Sequence, residues 1–285
     1  MTNARRLGRG EVRRLLDEHG LAPTKSLGQH FVVDPNTVDR IARLSGAGPG
    51  DRVVEIGPGL GSLTLALAAT GAEVTAVEID RRLVPVLRSI VPESVRVVEA
   101  DARLVDWPSL LDGRGPWVLV ANLPYNVATP LVLDLLVGVP LITRMLVMVQ
   151  REVAERLAAT PGGKEYGAVS VRVAYFATAR LAGLVSAEVF YPRPNVESAL
   201  VEIVRRERPA VDPADASYAQ IDALVRAGFA GRRKMLRRAL AGMVGEAELA
   251  CAGIPGTARA EELDVVAWGT LARCQRSIAS ERPPS

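Results

Sequence analysis

The stretch Val53-Val54-Glu55-Ile56-Gly57-Pro58-Gly59-Leu60-Gly61 constrains this chain more than any other. An apolar run ends in glycines at three alternate positions, and a helical pattern begins at once from Ser62. That order reads as strand, tight turn and helix start. Glycine has no side chain to keep a ligand off the backbone, and the N–H groups at a helix start can hold an electron-rich group. Such a turn alone is shared by many nucleotide binders. The three strands that follow narrow it. Glu73 to Val77 ends in Glu78, roughly 20 residues on, where folds of this type place an acid for ribose hydroxyls. Val95 to Ala100 ends in Asp101, and Val118 to Ala121 ends in Asn122-Leu123-Pro124-Tyr125.

Strands and helices then alternate. Ser62 to Ala69, Arg81 to about Ile90 and a segment opened by Thr129-Pro130 read as helices, and Arg144 to Val149 as a fifth strand. The alternation predicts an α/β, Rossmann-like parallel sheet covered on both faces, with its ligand beyond the carboxyl ends of the strands. Asp34-Pro35 opens an earlier helix, Asp34 as N-cap and Pro35 in the first turn. Leu181 to Val185 and Ser198 to Val204 are β-like and predict a hairpin that finishes the sheet. Pro209 to Ala216 reads as a linker, after which only helical periodicity remains. The organisation predicted is a basic N-terminal segment over 1–24, a ligand-binding domain over 25–206 and a small helical domain over 207–285. Residues 1–24 allow two readings, a solvated terminus or an RNA-contacting arm.

Composition closes off several classes. A hydrophobic share of 48% is enough for a real core, and a net charge of +3 says less than where the charges lie. Cys251 and Cys274 are far apart in sequence, so neither a disulfide framework nor a zinc site is expected, and a reducing cytoplasm fits. The Arg-rich N-terminus is not followed by the apolar core of a signal peptide. Trp117 to Val149 is apolar enough to resemble a membrane span, but Asn122, Asn126, Asp134, Arg144 and three prolines interrupt it. It reads as strand, helix and strand, with no membrane partner.

The residues also state a chemistry. At a strand end facing a crevice, the Asn122 side-chain oxygen and the Leu123 carbonyl can both accept from one amino group. Pro124 stiffens the turn, and Tyr125 offers a ring on which a flat base stacks. The alternative is an Asx turn with a core tyrosine. Glu78 suits two ribose hydroxyls, and Asp101 with Ala102 suits an adenine amino group. Glu55 can hold the loop or the cationic end of a ligand. His30 can be a general base, a metal ligand or a hydrogen-bonding loop residue, and the last is favoured. Phe190 can stack on a base or pack. Arg232, Arg233, Lys234, Arg237 and Arg238 form a basic run, read as contacting RNA phosphates rather than as a solvated helix face.

Taken together, Leu27-Gly28-Gln29-His30-Phe31, the glycine-rich stretch, Glu78-Ile79-Asp80, Asp101-Ala102, Asn122-Leu123-Pro124-Tyr125-Asn126, Gln150-Arg151-Glu152-Val153 and Phe190 to Ser198 resemble the ribosomal RNA adenine dimethyltransferases. The Asn-Leu-Pro-Tyr form and the helical C-terminus resemble the housekeeping small-subunit enzymes more than the antibiotic-resistance relatives that act on large-subunit RNA. The resemblance implies a class I methyltransferase sheet and S-adenosylmethionine as cofactor. It implies N6 dimethylation of two adjacent adenines near the 3′ end of 16S rRNA, by a cytoplasmic protein expected to be a monomer. It places His30, Val32, Gly57, Glu78, Asp101 and Asn122 on cofactor-contacting positions, with Gly59 in the same loop; His30 stands where asparagine is usual. Asn122, Leu123, Pro124, Tyr125 and Phe190 fall to the reacting base. No metal is required, because a sulfonium is already an activated methyl donor. The rival readings are a resistance-type 23S rRNA methyltransferase, a non-catalytic assembly factor on the same fold and, from the glycine turn alone, a nicotinamide dehydrogenase.

Overall fold

The protein was analysed as a computed structural model, which describes residues 6–24, 27–124, 127–231 and 234–281. Helix α1 (Arg9–Glu18) and the short strand β1 (Phe31–Val32) precede α2 (Pro35–Ser45). Asp34 caps α2 by accepting from the Thr37 N–H at 2.8 Å, and Gly46 ends it at φ 63°. The alternating part is β2 (Arg52–Ile56), α3 (Ser62–Ala68), β3 (Glu73–Glu78), α4 (Val84–Ile90), β4 (Arg96–Glu99), α5 (Trp107–Leu110), β5 (Trp117–Asn122), α6 (Ala128–Gly138) and β6 (Ile142–Gln150). After α7 (Arg151–Leu157) and α8 (Ala168–Phe176) come β7 (Ala177–Val185), β8 (Phe190–Tyr191) and β9 (Ser198–Arg205). The remainder is helical: α9 (Tyr218–Ala230), α10 (Leu236–Ala239), α11 (Glu246–Cys251) and α12 (Val265–Glu281).

The main sheet has the order β4-β3-β2-β5-β6-β9-β7. Its first five strands are parallel, and β9 runs antiparallel to β6. The strand order reverses at β2, whose neighbours are β3 and β5. In open α/β sheets that reversal is where the crevice forms, beyond the carboxyl ends. Val53, Val74, Val118, Val120, Leu146 and Met148 form one buried cluster with α2 and α3. Alternation along β2 puts Glu55 on the same face as Val53. The stretch suspected of resembling a membrane span is β5, α6 and β6, and among the described residues no helix is long and apolar enough to cross a membrane.

The chain divides into two compact units. One runs to Ala154 and resumes over Arg180–Val204; the other comprises Glu155–Ala179 and the chain from Arg205 onward. This departs from the sequence boundary at 206. Tyr166, Val171 and Tyr175 belong by packing to the helical unit, in a cluster with Ile221, Leu224 and Trp268. The supposed linker joins that cluster too: Val211 and Ala216 are buried in it, and the Ala210 N–H donates to the Tyr175 carbonyl at 2.8 Å.

Two further expectations change, for the N-terminal segment and the cysteines, and the one for the end of the sheet holds. The N-terminal segment is not frayed in its described part: Leu7, Val12, Leu15 and Leu16 are buried against Phe31, Leu60 and Leu83. Spacing of i, i+3 and i+4 gives α1 its apolar stripe. The strands expected as a hairpin, β7 and β9, are neighbours and finish the sheet beyond β6, which makes it mixed. Cys251 and Cys274 are disulfide-bonded, with S–S 2.06 Å. Packing of α11 on α12 brings together two residues 23 apart in sequence, a proximity their spacing does not reveal.

Candidate active site

The glycine-rich turn needs glycine for two separate reasons. Gly57, Gly59 and Gly61 all have positive φ, at 70°, 59° and 88°, which a Cβ disfavours. Space is the second constraint: a Cβ on Gly59 would stand 2.9 Å from the Phe31 ring. Gly57 follows β2, and the Asn122 carbonyl at the end of β5 is 3.8 Å from where its Cβ would be. The two motifs therefore meet at the strand-order reversal.

The crevice has two adjoining compartments that share Leu27, Gly57, Ile79 and Pro124. The first is lined by His30, Val32, Glu55, Gly59, Glu78, Asn122 and Leu123, among others. The second holds Asp101, Ala102 and Arg103. All seven cofactor residues named from sequence line one compartment or the other.

The acids differ in their surroundings. Glu78 is buried, and its two oxygens accept from the N–H groups of Gly59 at 2.9 Å and Asp80 at 2.8 Å. It thereby braces the glycine turn while burial pushes its pKa up. Asp101 is gripped by Arg103, with Nη2 to Oδ2 at 2.7 Å, and these hydrogen bonds hold its carboxyl below the ordinary range. Glu55 is 1% exposed, and one of its oxygens is buried without a hydrogen-bond partner. Burial raises its pKa to about 8; the nearby Thr64 hydroxyl pulls the other way and the charge of Glu78 adds to the rise.

Two long-range contacts build the wall opposite the sheet. The Asn122 side-chain amide donates to the His30 carbonyl at 2.9 Å, which leaves the Asn122 oxygen as the acceptor end. The His30 ring pairs through Nδ1 with the Pro192 carbonyl at 2.7 Å. Beside them β1 and β8 form a two-stranded ribbon, Phe31 opposite Tyr191 and Val32 opposite Phe190. Segments 28–32, 122–124 and 190–192 are thus locked together across the chain.

Sequence reasoning missed the anchor of this wall. Gln29 donates to Asp80 at 2.9 Å, Arg82 forks onto Asp80 at 2.9 and 2.7 Å, and the Gln29 oxygen accepts from the Thr24 N–H. Asp80 is quoted in the Glu78-Ile79-Asp80 motif, but only the fold shows that it ties the loop to β3. Phe190 is a correction. It is 1% exposed inside the cluster with Val32 and Leu200 and lines neither compartment, so it packs rather than presenting its ring to a base. Tyr125, Arg232 and Arg233 lie outside the described residues. Lys234 and Arg237 are exposed. Among the described residues no group of three or more His, Cys, Asp or Glu could hold a metal ion.

Known proteins supply an independent comparison. A family model described as ribosomal RNA adenine dimethylase matches residues 21–274. A ribosomal RNA small subunit methyltransferase A from Cutibacterium acnes is 48% identical over 287 residues, which is 96% of this chain and 94% of the relative. Its namesake from Thermobifida fusca is also 48% identical, over 95% of this chain and 96% of the relative. Among solved structures, the 23S rRNA methyltransferase ErmE superposes with a TM-score of 0.68 at 27% identity, covering 86% of this chain and 99% of that one. These matches run through both units and every strand end of the crevice, and the chain belongs to the ribosomal RNA adenine dimethylase family.

Proposed function

We propose that this enzyme transfers methyl groups from S-adenosylmethionine to N6 of two adjacent adenines near the 3′ end of 16S rRNA, as a cytoplasmic monomer that needs no membrane or metal partner. The observation that carries the reading is the place of Asn122: a strand-end amide fixed by His30, beside Gly57, on a crevice that also holds Glu78 and Asp101. Near-full-length identity of 48% to small-subunit enzymes, against 27% to the large-subunit enzyme, favours the small subunit as substrate.

The residues fit the cofactor. Gly57 and Gly59 offer bare backbone, Glu78 and Asp101 offer acceptors for hydroxyl and amino groups, and Glu55 has a buried oxygen without a hydrogen-bond partner. The bound cofactor supplies an electrophilic methyl group on a positively charged sulfur. What this chain contributes is alignment and electrostatics. The lone pair of an adenine N6 is delocalised into the ring. Accepting its N–H groups at the Asn122 oxygen and the Leu123 carbonyl draws the nitrogen toward tetrahedral geometry and frees that pair. The same acceptors stabilise the positive charge that develops on N6. With Phe190 buried, stacking falls to Tyr125.

Asn122→Ala tests the assignment. Methyl transfer to undermethylated small subunits should fall by about 100-fold or more, while the cofactor dissociation constant changes only a few-fold. Unchanged turnover would remove Asn122 from the chemistry. Mapping the labelled nucleosides separates the subunits, since label in 23S rRNA would favour the resistance-type reading.

A further inference from the structure

Glu55 and Glu78 are buried in one compartment, at 1% and 3% exposure, and they are provided for very differently. Glu78 has two backbone N–H donors, and such bonds favour the anion. One Glu55 oxygen has no hydrogen-bond partner, and the buried Thr64 hydroxyl on α3 is the neutral group near the carboxyl that favours its charged form. Its register neighbours on the adjoining strands are Ala76 and Val120, which carry no charge. The other polar side chains that line the compartment are Glu78 at the end of β3, Asn122 at the end of β5, Gln29 and His30 before β1, and Ser62 at the start of α3. Among the described residues no lysine or arginine lines this compartment. Two carboxylates cannot both stay ionised in a buried site without a cation. Burial raises the pKa of Glu78 as well, but its backbone donors favour the anion there, so the acid without such donors is the one suited to hold a proton. The raised pKa of Glu55 agrees with that division.

Resting on the cofactor reading above, we propose that Glu55 is protonated in the cofactor-free enzyme and gives its proton to bulk water when the cationic cofactor binds, becoming the counter-ion of that cation. The exchange balances: the carboxyl O–H bond breaks, the proton leaves to solvent, and the positive charge of the cofactor takes its place. The net charge of the compartment is the same at each stage, with one anion beside a neutral acid before binding and two anions beside a cation afterwards. Glu55 thereby selects for a cation, and cofactor binding acquires a dependence on pH.

Calorimetric titration of the full-length enzyme with S-adenosylmethionine, without RNA, tests this. Two buffers of different ionisation enthalpy are used at about pH 6.5, where the cofactor's own α-amino group, with a pKa near 7.7–8.0, stays protonated. Close to one proton should be released per cofactor bound, and affinity should rise nearly tenfold per pH unit up to about pH 7.5. Glu55→Gln should bind without proton release and with a flat pH profile. Should that variant fail to fold, infrared difference spectra of the unaltered enzyme decide: a protonated-carboxyl band should vanish on adding the cofactor. Binding whose heat is independent of buffer, or that leaves that band in place, would overturn the proposal. So would the same proton release from Glu55→Gln. Absence of any binding between about pH 6 and 9 would instead overturn the cofactor reading itself.

Discussion

Two buried carboxylates, Asp222 in the helical unit and Glu55 in the sheet unit, are treated in opposite ways. In the helical unit, Asp222 accepts from both Arg172 and Arg226, with Arg172 Nη2 at 2.9 Å and Arg226 Nε at 2.8 Å. Burial works against its charge, but the hydrogen bonds and charges of the two guanidinium groups more than offset it, and its pKa falls below the ordinary range. In the sheet unit, Glu55 is more deeply buried, among the described residues no lysine or arginine lines its compartment, and its pKa rises to about 8. A chain that can neutralise a buried acid in one place has left another unneutralised at the mouth of its glycine-rich turn. The difference separates charge used to hold a fold from charge kept for a ligand. Uncompensated burial costs stability, and such costs concentrate at functional sites.

The largest effect is expected at the compensated site. Asp222→Ala would remove this carboxylate from Arg172, whose side chain is 21% exposed. Arg226 is 68% exposed and loses less, because solvent screens it. A stability loss of about 3 kcal/mol is expected, read as a lower urea midpoint with unchanged slope. Asp222→Asn should lose less, since it still accepts hydrogen bonds. A loss below about 1 kcal/mol would break the contrast, because Asp222 would then be no better used than a surface pair.

The uncompensated site should respond with the opposite sign. An acid whose pKa rises on folding holds its proton more tightly in the folded state. Its contribution is therefore fully present below the ordinary value of 4.5 and is lost as pH climbs toward about 8. The cofactor-free protein should become less stable across that window. Glu55→Gln has no proton to lose, so it should match the parent near pH 4.5 and exceed its stability by about 2 kcal/mol at neutral pH. Thermal or urea unfolding at a series of pH values measures both. A variant less stable than the parent at neutral pH would show that Glu55 supports the turn structurally.

What could be read beforehand divides along the same line. The parallel strands, the glycine turn and the acids at the strand ends announce themselves locally. Val53 to Ile56 is a buried run, and Gly57, Gly59 and Gly61 occupy positions that a Cβ would strain. The helical unit did not announce its membership, since Tyr166 and Val211 join one core from segments separated by a stretch of sheet. The ribbon of Phe31–Val32 with Phe190–Tyr191 is too short to give a period, and it relocates Phe190 from the expected base site into the core. The Asp222 triad and the Cys251–Cys274 bond likewise depend on which helices meet. Local patterns report backbone geometry and candidate chemistry; partners distant in the chain decide which of those candidates is exposed.

The smallest effect on the fold is expected from a third class of charge, exposed and solvated. Lys234 and Arg237 lie at and near the start of α10, both open to solvent. Removing them as Lys234→Gln with Arg237→Gln should change stability by no more than about 0.5 kcal/mol. Their use, if RNA phosphates are the partner, shows only in binding. Each lost phosphate contact reduces the slope of log affinity against log salt by about 0.9, so the double variant should bind rRNA more weakly with a slope smaller by about 2. A slope equal to that of the parent would make these two residues an ordinary solvated helix face and confine RNA contact to other parts of the molecule. Charges that neither brace the fold nor wait for the cofactor would then have no part in either function, and the contrast between Asp222 and Glu55 would stand as the only division of labour among the chain's charges that these measurements resolve.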